Sequence, residues 1–147
     1  MIAAAVIACA LNVLGRSHIL VPVAVWSTPP PGVSANAEAF VSAEPVTINL
    51  IESSEAFQLA QRGVRDPTRR SECVKLASVI VHEEWHLSNG PDEGAAYLAQ
   101  LNTLAALGAG RVMSSGVRRS MLVAVARQRR AHPQSPGHVS SAERRER

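Results

Sequence analysis

Val79-Ile80-Val81-His82-Glu83-Glu84-Trp85-His86-Leu87-Ser88-Asn89-Gly90-Pro91-Asp92-Glu93 is the stretch on which the fold turns. His82, Glu83 and His86 form the pattern H-E-x-x-H. On a helix, a spacing of four stacks the two imidazoles, about 40° apart around the axis. Two rings so placed can grip one zinc ion. Glu83, displaced by about 100° from His82, flanks the pair and can accept a proton from metal-bound water, whose pKa zinc lowers toward neutrality.

The surroundings of the motif decide whether it is more than a coincidence. Upstream, Val74, Leu76, Ala77, Val79, Ile80 and Val81 cover nearly all azimuths, so the helix is predicted to be buried on most sides. Burying two His and a Glu is costly unless something satisfies them, and a metal with supporting hydrogen bonds would do so. A surface helix carrying the motif by chance would have polar neighbours, and these are apolar. Cys73, about half a turn out of phase with His82, is excluded as a ligand.

Downstream, Asn89-Gly90-Pro91 reads as a turn, and a helix is predicted from Asp92 to about Leu107. Catalytic zinc takes three protein ligands plus water. Glu93, in the first helical turn, has the reach for the third position. Asp92 is the rival, although it is better placed to cap the helix. Tyr97, one turn after Glu93 and the only Tyr of the chain, is a candidate donor to a developing oxyanion; the alternative is a packing residue with a polar tip. Gln100 is expected to support the site or the helix interface, Trp85 to lie in the core, and Glu84 to face solvent or pair with an Arg.

The chain resembles a minimal zincin metallopeptidase of the gluzincin branch, in which a glutamate on the next helix completes the zinc site. The likeness spans Lys75 to Leu104. It implies His82, His86 and Glu93 as zinc ligands and Glu83 as general base. It also implies that Val46–Ile51 is the strand that lies along the cleft and holds an extended peptide by backbone pairing. Asn89 and Asp92 are also similar to the metzincin pattern H-E-x-x-H-x-x-G-x-x-H/D, with Met113 as a candidate methionine turn. The helix predicted over Asp92–Leu107 argues against that branch.

Composition bounds the rest. A chain of 147 residues with 46% hydrophobic content is about one folded domain, neither a multi-domain assembly nor a disordered chain. Only 3% of residues are aromatic, so a core must be built from Ala, Val, Leu and Ile. Residues 1–110 carry six basic and ten acidic side chains, whereas 111–147 carry nine Arg against Glu143 and Glu146. The net charge of +3 therefore describes a basic tail, expected to be solvated and partly disordered. Nucleic-acid binding through that tail lacks an accompanying reading motif. Arg62, Arg65, Arg69 and Arg70 read as a solvated face, with a clamp for a substrate carboxylate as the alternative. His18, His132 and His138 fall outside the predicted core. Cys9 and Cys73, far apart and in different contexts, suggest no disulfide.

Residues 1–37 read as an N-terminal apolar segment, either a signal or a membrane anchor, followed by a Pro-rich linker. Val6-Ile7-Ala8-Cys9 is similar to a lipoprotein cleavage box. The competing reading makes Ile2–Leu14 a buried helix and Ile19–Trp26 a core strand. Residues 38–110 are then the metal-binding domain, with a strand over Val46–Ile51, a helix over Ser53–Arg62 and a helix from Pro67 to about Leu87; Val117–Arg130 is a further helix and His132–Arg147 is disordered. The expected class is α+β, mostly α, with a minimal zincin-like core. The expected function is that of a zinc-dependent (Zn2+) hydrolase, a small metallopeptidase acting on peptide or protein substrates. The alternative is a non-catalytic binding or structural protein in which the metal is absent or only structural. Export or membrane association through the N-terminus is favoured over the cytoplasm.

Overall fold

Helix α3 (Cys73–Asn89) carries the motif, and its apolar half lies in the main core. The computed structural model describes residues 2–133. Before α3 come α1 (Ile2–Val13), the strands β1 (Val23–Trp26), β2 (Ala39–Ala43) and β3 (Val46–Ile51), α2 (Glu55–Arg65) and a 3-10 segment (Pro67–Glu72). After it come α4 (Glu93–Ala106) and α5 (Arg111–Ala131). The class is α+β and mostly helical, as the sequence implies.

The sheet has three strands, where the sequence pattern of the metal-binding region predicts one, Val46–Ile51. Its order is β1-β3-β2, with β1 parallel and β2 antiparallel to β3. Val23 pairs with Ile48, and Phe40 pairs with Asn49. Val46–Ile51 is therefore the central strand, with both edges already hydrogen-bonded. It cannot pair with a peptide, as the resemblance implied; the free edge beside the cleft belongs to β2. Its near-continuous burial, from Thr47 through Ile51, follows from that central position.

The N-terminal segment is part of the same folded unit. Val6 and Ala10 of α1 are fully buried against Ile48, Leu50, Phe57, Leu76 and Ile80. A division at residue 37 would cut β1, a half-buried edge strand, from β3. Among the described residues, no helix is long and apolar enough to cross a membrane.

Cys9 and Cys73 form a disulfide with a Cα–Cα separation of 5.9 Å, correcting the expectation of unpaired cysteines. A separation of 64 residues hid the pair, because only packing of α1 on the start of α3 brings the two together. Gly63 belongs to this junction and does not end α2, which continues to Arg65. A Cβ at Gly63 would lie 2.9 Å from Cys73 Sγ and 3.0 Å from the Arg69 carbonyl, so any side chain would force α2 away from the disulfide.

Two further boundaries differ from expectation. The single helix predicted from Pro67 is a 3-10 segment broken at Arg69, followed by α3. Asp66 caps that segment by accepting from Thr68 N at 3.0 Å. The last helix begins at Arg111 rather than Val117, and buries Val117 against Val74 and Leu104. Residues 111–131 are thus a packed helix instead of a tail. The disorder expected over 134–147, and His138, lie outside the described residues.

Replacing Ala10 by Asp buries an unpaired charge beneath α3. We expect a stability loss of about 3 kcal/mol or more, measured as a lowered midpoint in denaturant unfolding. An unchanged midpoint would mean that α1 is dispensable to the folded unit.

Candidate metal centre

The last two turns of α3 and the first residue of α4 build the site. Gly90 supplies the reversal with a φ of +93°, a region that side chains disfavour. Its N–H closes α3 on the His86 carbonyl at 3.0 Å. Its own carbonyl accepts from His86 Nδ1 at 2.8 Å. With Nδ1 used in this way, Nε2 is the atom that His86 presents to the site.

Asp92 and Glu93 take separate roles. Asp92 accepts from Ala95 N at 3.1 Å and so caps α4. Glu93 turns back over α3: Oε2 is 3.5 Å from His82 Nε2 and Oε1 is 3.5 Å from His86 Nε2. The two Nε2 atoms are 3.1 Å apart. His82, His86 and Glu93 thus form a candidate metal-binding triad whose donor atoms all lie within 4.8 Å of one another.

These spacings fit a zinc ion. Bonds of about 2.0–2.1 Å in tetrahedral geometry put neighbouring donors about 3.3 Å apart; the two Nε2 atoms meet that spacing, and each carboxylate oxygen of Glu93 meets it toward one imidazole, Oε2 toward His82 and Oε1 toward His86. Two imidazoles and one carboxylate are also a donor set that zinc takes while keeping a fourth position open. His82 Nδ1 is buried and has no hydrogen-bond partner among the described residues. The ring is instead held by packing, with Tyr97 edge-on at a centroid distance of 4.5 Å.

Electrostatics follow from this crowding. Hydrogen bonds from His82 and His86 hold the Glu93 carboxyl down to about 2. The hydrogen bond to Glu93 raises His86 to about 9, despite the opposing effect of its burial. Glu83 is only 6% exposed. Burial pushes it up to about 7, against the pull of His82 and His86. Burial likewise lifts the Tyr97 hydroxyl to about 12.

An open cleft of about 1210 Å³ lies over the triad. Its floor is α3, through Lys75, Val79, His82, Glu83 and His86; β2 contributes Ala39, Phe40 and Val41, and α5 contributes Arg119, Val123 and Arg127. Lys75 is almost buried and bridges Glu38 at 3.0 Å and Glu55 at 2.5 Å. Glu38 also accepts from Ala56 N at 3.1 Å, which ties the approach to β2 to both helices. Gln128 of α5 accepts from Glu93 N at 3.2 Å and donates to the Pro91 carbonyl at 3.0 Å.

The sequence reading therefore located the triad, Glu83 and Tyr97 around one cleft, but not Lys75, Gln128 or Arg127. Gln100 donates to Ser78 and serves the α3–α4 interface. Trp85 is half-buried, not core, with its ring edge-on to His86. Glu84 pairs with Arg16. Comparison with protein-family models, with curated proteins and with solved structures returned no match.

Metal and proton compete for His86 Nε2. Since His86 titrates near 9 and Glu93 stays ionised, zinc affinity should rise as pH increases from about 6 to about 9, by up to tenfold per unit, with about one proton released. Calorimetry in buffers of different ionisation enthalpy reads that proton. Glu93→Ala should weaken zinc binding by at least about a hundredfold. Asp92→Ala should instead cost about 1 kcal/mol of stability through the lost cap. Equal zinc affinity in the two variants would remove Glu93 from the site.

Proposed function

We propose that the chain is a zinc-dependent hydrolase, a small metallopeptidase built on a minimal zincin-like core. The observation that carries this reading is the convergence of His82, His86 and Glu93 at zinc-compatible spacing, with the buried Glu83 beside them on one open cleft. His82, His86 and Glu93 would hold the ion. When bound, zinc supplies a Lewis acid for the scissile carbonyl and lowers the pKa of a water toward neutrality.

The remaining chemistry belongs to side chains of this chain. Glu83 has a pKa of about 7, suited to taking a proton near neutral pH and returning it to the leaving amine. Nearby positive charge lowers that value, so loading the site keeps Glu83 in its basic form. Tyr97 lines the cleft beside His82. Its hydroxyl stays protonated well above neutrality and is available as a donor to a developing oxyanion. The free edge of β2 offers backbone groups to an extended peptide, the part that the resemblance assigned to Val46–Ile51.

Three protein donors favour a catalytic site over a closed structural one, which takes four. The Cys9–Cys73 disulfide favours an oxidising compartment and so an exported protein.

Glu83→Gln should retain about one zinc per chain while hydrolysis of a mixed peptide library falls by at least about a thousandfold. Mass spectrometry of the digested library measures the loss. A zinc-loaded chain that cleaves nothing, yet unfolds on chelation, would instead identify a structural metal.

A further inference from the structure

The cleft is electrically lopsided. At the Lys75 end, two carboxylates, Glu38 and Glu55, surround one ammonium, so a further anion is unwelcome there. At the α5 wall the sign reverses. Helix α5 contains no Asp or Glu, and Arg119 and Arg127 both line the cleft. Among the described residues, neither guanidinium forms an ion pair or a hydrogen bond.

Arg127 is the better placed of the two. Gln128, the next residue, is bonded to the backbone of Pro91 and Glu93. That pair of bonds fixes this turn of α5 against the turn that delivers the third ligand. The Arg127 charge also reaches the Tyr97 hydroxyl, where it opposes the effect of burial, and Tyr97 packs directly on His82. The arginines considered earlier as a carboxylate clamp are elsewhere. Arg62 and Arg69 are held by Glu72, and none of Arg62, Arg65, Arg69 and Arg70 lines the cleft.

We propose that Arg127 is a specificity-determining residue that binds a substrate carboxylate near the scissile bond. A planar guanidinium that lines a cleft and has no carboxylate partner among the described residues matches a carboxylate in a paired geometry that a lysine does not reproduce. The carboxylate is either the peptide C-terminus or an Asp or Glu side chain. Arg119, two turns back along α5, extends the same basic wall for ligands carrying further acids. This proposal rests on the peptidase reading for its substrate, but its test reads binding and not turnover.

The experiment uses the full chain as Glu83→Gln, zinc-loaded, with peptide binding followed by calorimetry. Three kinds of otherwise identical peptide serve as probes: one with no acidic group and an amidated C-terminus, one with a free C-terminus as its sole carboxylate, and an amidated series with one Glu scanned through each position. At least one acid-bearing peptide should bind about tenfold more tightly than the one with no acidic group. That advantage should vanish in Arg127→Gln and persist in Arg118→Gln, whose position does not line the cleft. The free-terminus peptide or a Glu peptide, whichever gains, identifies the source of the carboxylate, and either supports the proposal. Arg127 is exposed, so Arg127→Gln should unfold at the parent temperature. No advantage for any acid, or equal loss in the Arg127 and Arg118 variants, would overturn the proposal. Absence of hydrolysis with Glu83 intact would overturn the peptidase reading alone.

Discussion

Everything at the candidate site depends on one reversal of the chain, from His86 through Gly90 to Glu93. The reversal makes two bonds with the same residue: His86 accepts at its carbonyl from Gly90 N–H and donates from Nδ1 to the Gly90 carbonyl. The first closes α3 and the second aims the imidazole. Only then can Glu93, as the first residue of α4, stand over His82 and His86. A residue with a Cβ at position 90 would strain the backbone and loosen the helix end and the ring orientation together.

A site this crowded needs a rigid floor. Helix α3 is buried on most sides over its first two turns, and Cys73 at its start is bonded to Cys9 of α1. Gly63 allows α2 to approach that point closely. Lys75 adds a polar tie, accepted by Glu38 and Glu55 from two other directions. Burial alone would lower the Lys75 pKa, but the two carboxylates more than offset it and raise the value. The disulfide, the close helix approach and this charge cluster all act on the same half of α3. The other half is left free to carry the chemistry.

How much of this was legible in the sequence follows from the range of each signal. The helix, its burial, the turn and the choice of Glu93 over Asp92 all depend on residues within about one or two helical turns, and local pattern carries that information. The class of fold was legible for the same reason. The disulfide was not, since 64 residues separate its partners. Strand β2 was hidden because Ala39–Ala43 is short, with only Phe40 and Val41 as strong strand formers, and owes its state to pairing with β3. The position of Val46–Ile51 at the centre of the sheet depends on β1, whose apolar run reads equally well as part of an address segment. Helix α5 carries six Arg and no acid among its 21 residues, and such a basic helix gives little warning that one face of it walls a cleft.

X-ray absorption at the zinc edge of the metal-loaded chain tests the central claim most directly. The account predicts a shell of nitrogen and oxygen neighbours at about 2.0–2.2 Å, with the outer-shell scattering of two imidazoles. One imidazole should disappear in His82→Ala and one in His86→Ala. A sulfur shell, a six-coordinate aqua ion, or a spectrum unchanged by either substitution would contradict it.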